Sequence, residues 1–155
     1  GCGGGRNIGE LLKRYPHAHG TALDYSALSV EKAGAYNRAL IAAGRCVVCR
    51  GDVSDLQLPP ERFELATAFE TVYFWPGLTH CFSEVAKILK PGGFFLICNE
   101  SDGTDKTSLK FEKIIDGMKN YTAEEIEKAL KATGFSEVKS VHHPSKPWIA
   151  VLARK

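Results

Sequence analysis

A run of glycines, Gly1-Cys2-Gly3-Gly4-Gly5-Arg6-Asn7-Ile8-Gly9, limits what can follow it. Glycine turns a backbone sharply and lets a ligand come close, because no Cβ stands in the way. The run leads into residues 8–14, which read as a helix. A helix start presents unpaired N–H groups and the positive end of the helix dipole. Loop and helix start together make a cradle for hydroxyl, carboxylate or phosphate oxygens. The dinucleotide fingerprint requires glycine at its first, third and sixth positions. Here Arg6 holds the sixth, so the motif is a tighter G-x-G-x-G. Taken alone it equally describes a plain strand-to-helix turn, and the residues downstream decide between the two.

Downstream, strand and helix patterns alternate. After the helix at 8–14 and Tyr15-Pro16, residues 17–23 read as a short strand ending at Asp24. Ser26 is a good N-cap for a helix over 27–43, which Gly44 stops. A strand at 45–49 leads to Gly51-Asp52-Val53, and 56–62, with Pro59-Pro60, is loop. A strand at 63–71 runs into Tyr73-Phe74-Trp75. Pro76 and Gly77 open a helix of about 12 residues. Lys90-Pro91-Gly92-Gly93 ends that helix as a turn, and the apolar run 94–98 reads as a buried strand. Residues 99–105 are loop, and 108–118 read as a helix carrying Leu109, Phe111, Ile114 and Ile115. Thr122-Ala123-Glu124-Glu125 is a capping box for a helix that ends at Gly134. Strands at 135–142 and 148–153 are joined through Pro144 and Pro147. This order predicts an α/β domain over 1–155, with a mostly parallel sheet and helices on both faces. The last two strands are separated by only a few residues, so they pair as an antiparallel hairpin.

The formal net charge is only +2, with basic and acidic residues interspersed. That balance points away from nucleic acid. No apolar run reaches the length of a membrane span. The five cysteines, Cys2, Cys46, Cys49, Cys81 and Cys98, fit reduced thiols and a cytoplasmic location better than a disulfide framework. Cys46 and Cys49 form a C-x-x-C on a strand, where residues three apart face opposite ways, so two buried thiols are expected rather than a metal or redox pair. His142 and His143, adjacent on a strand, make a poor metal site, and no metal is expected.

In parallel α/β sheets ligands sit at the carboxyl ends of the strands. Asp24, nineteen residues beyond Gly5, can accept from ribose hydroxyls there, and Asp52 can accept from an exocyclic amine beside the N–H of Val53. With GCGGGRNIG, ALDYS, GDV, FELATAFETVYFW and LKPGG followed by FFLIC in this order, the sequence resembles a class I S-adenosylmethionine-dependent methyltransferase of the small-molecule type. The resemblance covers nearly the whole chain and implies a Rossmann-like sheet with S-adenosylmethionine as cofactor. It places Gly1, Cys2, Gly3 and Gly5 along the methionine part and Asp24 on the ribose. It sets Tyr25 against the adenine face, Asp52 and Val53 at the adenine edge, and Glu70 near the transferable methyl.

In that family a first strand ending in an acidic residue precedes the glycine loop. None precedes Gly1 here, so a two-stranded and a four-stranded sheet are expected, within a longer protein whose N-terminal segment is missing. Methyl transfer from a sulfonium needs an aligned nucleophile more than a strong acid or base. Tyr73 is the candidate catalytic residue, because its hydroxyl could orient an acceptor and its ring could stabilise a methyl cation. Asn99 and Glu100 are candidate acceptor contacts, and Phe74, Trp75 and His80 are read as packing or surface residues. The stretch Phe69-Glu70-Thr71-Val72-Tyr73 differs from the Asn/Asp-Pro-Pro-Tyr of amino-methylating enzymes, which favours a small-molecule acceptor. A nicotinamide oxidoreductase shares the fold, and a non-catalytic interaction module would share the motifs.

Overall fold

Gly5 adopts a left-handed conformation (φ 78°) and caps α1 (Arg6–Arg14), so the glycine run turns directly into the helix. The computed structural model describes residues 1–155, which divide into two compact units, Gly1–Asp55 and Leu56–Lys155. In the first, β1 (Gly20–Asp24) pairs in parallel with β2 (Cys46–Arg50), Gly20 opposite Cys46 and Asp24 opposite Arg50. The chain between them forms α2 (Ala27–Tyr36) and α3 (Arg38–Ala42). Ser26 caps α2 by accepting from the N–H of Ser29. Strand β1 starts later than its sequence pattern suggests, because Ala18 N–H closes a turn on the carbonyl of Tyr15. The single helix expected over 27–43 is broken at Asn37, whose side chain donates both back to the Ala33 carbonyl and out to the Gly5 carbonyl. The Arg45 guanidinium closes the far end of α1, donating to the carbonyls of Leu12 (2.6 Å) and Tyr15 (2.9 Å).

The second unit holds a four-stranded sheet in the order β3 (Phe63–Phe69), β4 (Leu89–Asn99), β6 (Ile149–Arg154), β5 (Val138–His142). Strands β3 and β4 are parallel, and β6 pairs antiparallel with both β4 and β5, as the hairpin reading requires. The strands thus fall into the expected two-stranded and four-stranded sheets. Lys90–Gly93 is not a turn ahead of the strand but an irregularity inside it. Phe63 pairs with Leu89, and Leu65 pairs with Phe94. The extra residues are held from the other side: Gly92 N–H donates to the carbonyl of Lys155, and Lys155 N–H to that of Gly93. Gly93 is required, because a Cβ there would lie 2.9 Å from the Lys90 carbonyl oxygen.

Helix α4 (Leu78–Ile88) buries Leu78, Cys81, Phe82, Val85 and Ile88 at helical spacing. Phe95 is the hub of the core. It stacks on Trp75 (6.2 Å between centroids) and meets Phe82 (5.5 Å) and Phe135 (6.0 Å). Helix α5 (Lys106–Glu112) starts earlier and ends sooner than the sequence pattern over 108–118. Asp105 is its N-cap, accepting from Ser108 N–H at 2.8 Å, and Gly117 turns the chain left-handed beyond it. Helix α6 (Ala123–Ala132) carries both halves of the capping box between Thr122 and Glu125. All five cysteines are free thiols; Cys46 is buried, whereas Cys49 is only half-buried because β2 has a neighbour on one side alone. No helix is long and apolar enough to cross a membrane.

Candidate functional site

The glycine loop is stitched to the end of β1. Cys2 N–H donates to the Leu23 carbonyl (2.9 Å), and Gly5 N–H closes a turn on the Cys2 carbonyl (3.0 Å). Gly3, with φ 51°, aims its N–H at Asp24 Oδ2 (2.8 Å), and Ser26 N–H donates to Asp24 Oδ1 (3.0 Å). Asp24 is 5% exposed, yet its carboxylate has used only these two partners. Roughly four lone-pair directions belong to a carboxylate, so acceptor capacity remains for ligand hydroxyls. A Cβ placed on Gly3 or Gly4 would meet nothing within 4 Å, so the loop's outer side is open to a ligand. Gly1 is exposed at the edge of this loop.

Beyond Asp24, the backbone of Tyr25 is held by Arg50, whose Nε donates to its carbonyl at 3.0 Å. The Tyr25 ring is left 72% exposed, a flat apolar face available to a flat ligand. The Asp24 carbonyl accepts from Gly51 N–H (3.0 Å), tying the ends of β1 and β2 together. Asp52 follows on an exposed turn where its Oδ1 accepts from the Ser54 N–H (2.8 Å) and hydroxyl (2.7 Å). Those bonds hold its carboxyl below the ordinary range, and its second oxygen is left for a donor. Val53 beside it is half-buried. The donor and acceptor set at the glycine loop and Asp24 therefore suits an adenosine-bearing cofactor. Gly3 and Asp24 are joined directly, whereas Asp52 stands apart on its own turn.

Glu70 and Tyr73 belong to the second unit, where the structure brings them together. Glu70 is one of two non-glycine residues with positive φ (53°), a conformation that costs about 1–3 kcal/mol and collects at functional positions. Its N–H donates to the Cys98 carbonyl (3.0 Å), which anchors the end of β3 to β4. Its Oε1 accepts from Glu100 N–H (2.6 Å) and its Oε2 from the Tyr73 hydroxyl (3.2 Å). Tyr73 in turn accepts from Ser101 N–H (3.2 Å). Burial pushes the Glu70 carboxyl up, and the two donors only partly offset it. Burial, with the Glu70 charge beside it, pushes the Tyr73 phenol well up, so it stays protonated. Trp75 is a core residue, which fits its packing reading, while Phe74 is 49% exposed.

One sequence candidate is deeply buried, and one residue at the cofactor loop escaped the sequence. Asn99, a candidate acceptor contact, is 2% exposed, and neither of its amide atoms has a hydrogen-bond partner. Asn37 is also 2% exposed and reaches the glycine loop through its side chain. The only sequence signal for it was a poor helix former in the middle of a helical run. No group of three or more His, Cys, Asp or Glu side chains is placed to hold a metal ion.

A family model described as a methyltransferase domain matches residues 1–97, more than half of the chain. Among curated proteins, a sterol 24-C-methyltransferase of Candida albicans is 29% identical over 144 residues, covering 87% of this chain and 38% of its own length. One of Debaryomyces hansenii is 30% identical with the same coverage. The chain thus spans less than half the length of these relatives. Among solved structures, geranyl diphosphate C-methyltransferase from Streptomyces coelicolor, in complex with Mg2+, geranyl-S-thiolodiphosphate and S-adenosyl-L-homocysteine, aligns with a TM-score of 0.86. It is 13% identical, with 99% of this chain and 67% of that one covered. An S-adenosylmethionine-dependent methyltransferase from Mesorhizobium loti aligns with a TM-score of 0.77 at 19% identity, covering 100% and 88%. The glycine loop closed on an acidic strand end, the Rossmann-like α/β order and the family match agree, and the chain belongs to the class I S-adenosylmethionine-dependent methyltransferase domain family.

Proposed function

We propose that this chain is the cofactor-binding and catalytic domain of an enzyme that methylates a small-molecule acceptor. The observation that supports this most is the glycine loop closed on Asp24, with spare acceptor capacity at the carboxylate and open space over Gly3 and Gly4. Asp24 would hold the ribose hydroxyls, Tyr25 would cover one face of the adenine, and Asp52 with Val53 would meet its edge. Gly1 to Gly5 would border the methionine part. When bound, S-adenosylmethionine supplies a methyl already activated by a positive sulfur. The residues therefore need only bind, orient and exclude water.

Glu70 and Tyr73 would serve the acceptor. Tyr73 donates a hydrogen bond to Glu70 and accepts one from Ser101 N–H, so one lone pair of its oxygen is left to offer to a substrate. Glu70, held between two donors in a strained backbone, is a fixed acceptor toward an acceptor hydroxyl or amine. The activities named for two relatives, a sterol 24-C-methyltransferase and a geranyl diphosphate C-methyltransferase, favour a small molecule with a large hydrocarbon part, methylated at carbon.

Isothermal titration with S-adenosylhomocysteine tests the cofactor half of this reading. The chain is expected to bind, and Asp24→Asn, which keeps the shape but removes the charge, is expected to bind at least tenfold more weakly. Equal affinity in the variant would overturn the role given to Asp24. Turnover of S-adenosylmethionine with a panel of sterol and prenyl acceptors, compared with Tyr73→Phe, tests the catalytic half.

A further inference from the structure

The geometry assigns to Asn37 the positioning of the cofactor loop, exerted through the carbonyl of Gly5; this rests on the reading that the glycine loop and Asp24 hold S-adenosylmethionine. Asn37 stands between α2 and α3, 32 residues from Gly5 in sequence. Its Nδ2 donates to the Gly5 carbonyl at 2.9 Å and to the Ala33 carbonyl at 3.0 Å. Both neighbours are carbonyl oxygens, which only accept, so the amide has one permitted orientation. Turned over, its oxygen would face two oxygens and its NH2 would be buried without an acceptor.

The fit around this amide is close on two sides. A Cβ on Gly5 would lie 2.6 Å from Nδ2 and 2.8 Å from Ala33, and a Cβ on Gly9 would lie 2.8 Å from Oδ1. The Gly5 peptide is the joint between loop and helix. Its N–H donates to Cys2, and its carbonyl accepts from Gly9 N–H (3.2 Å) as the first bond of α1. Asn37 thus clamps the residue whose left-handed φ aims the preceding turn, and that turn delivers Gly3 N–H to Asp24. The interruption of the helix has the same origin. The Ala33 carbonyl accepts both the backbone N–H of Asn37 (3.0 Å) and its side chain, a back-bond that bends helices. Asn37 reaches the cofactor only through Gly5 and is a positioning residue.

The test is titration of the full chain with S-adenosylhomocysteine for the wild type, Asn37→Leu, Asn37→Asp and Arg45→Ala, with a thermal melt of each. Asn37→Leu keeps the volume and removes the donor; it is expected to weaken binding at least tenfold. Arg45→Ala strips the carbonyls at the opposite end of α1 of their donor; it is expected to lower the melting temperature while binding stays within twofold of wild type. In Asn37→Asp the new carboxyl turns an oxygen toward Gly5. Its affinity should be lost at neutral pH and recover as the pH falls, when the protonated carboxyl donates again, whereas the wild type should change little. Asn37→Leu binding within twofold of wild type, or Arg45→Ala weakening binding as much as Asn37→Leu, would overturn the proposal. If Asn37→Leu does not fold, the pH profile decides: no recovery in Asn37→Asp rejects it. A folded wild type that fails to bind would instead reject the cofactor reading itself, and the role of Asn37 with it.

Discussion

The two units hold their candidate residues by opposite means. In Gly1–Asp55 the buried apolar residues are few and mostly small: Leu12, Ala22, Ala33 and Cys46. Its site is made of backbone groups, one carboxylate and one amide, each placed by a directional bond. In Leu56–Lys155 an aromatic cluster around Phe95 fills the space between sheet and helices. Its Glu70–Tyr73 pair rides on the ends of β3 and β4 above that core. A core held by volume tolerates hydrophobic exchange of similar size. A loop held by single hydrogen bonds does not, because each lost partner leaves a buried polar group unmet. Bound cofactor should stabilise the first unit by an amount that grows with the logarithm of its concentration over its Kd.

Predictions follow from pressing on each side of this contrast. The largest effect belongs to Phe95→Ala, which removes the hub of the aromatic cluster and should cost about 3–5 kcal/mol. Urea denaturation read by circular dichroism measures it. Gly5→Ala is next. The added Cβ meets Asn37 and Ala33 at under 3 Å in a left-handed backbone, so a cost of about 2–3 kcal/mol is expected. The same variant should lose affinity for S-adenosylhomocysteine, whereas Phe95→Met should leave that affinity unchanged.

Asn99→Leu should act in the reverse sense. Removing a buried amide with no partners should raise stability by about 1–2 kcal/mol. A thermal melt showing a lower midpoint would mean that Asn99 has a partner in solution. The smallest effect concerns pH. Burial raises the Glu70 carboxyl above its ordinary value of 4.5, so the folded state holds this proton more tightly than the unfolded state. Its contribution therefore favours folding below that ordinary value and is lost as the pH rises through the raised one. Denaturation midpoints of Glu70→Gln across this window should show a shallower fall with rising pH than those of the wild type.

The signals legible in the sequence are those whose partner lies a few residues away. Thr122 and Glu125 announce a helix start because each reaches the other's backbone N–H across one turn. Ser26 and Asp105 are N-caps of the same local kind, yet only Ser26 is legible, because the apolar pattern of the second helix begins at Leu109 and points to a start near 108 rather than 106. Asp24 was legible from its place at a strand end, and its bond to Gly3 was not. Lys90–Gly93 reads as a turn in any sequence; that it lies inside β4 depends on Phe63 and Lys155, which are distant in the chain.

The amino-acid sequence by itself determined the alternation of strands and helices, the glycine loop, the acidic strand end and the family these imply, because periodicity, capping and chirality act over a few residues. Only the tertiary structure decided that a helix breaks at Asn37, that its amide clamps Gly5, and that Glu70 and Tyr73 accept from the N–H groups of Glu100 and Ser101 beyond the end of β4. Those contacts join residues far apart in sequence, and no local propensity records a partner that arrives only when the chain has folded.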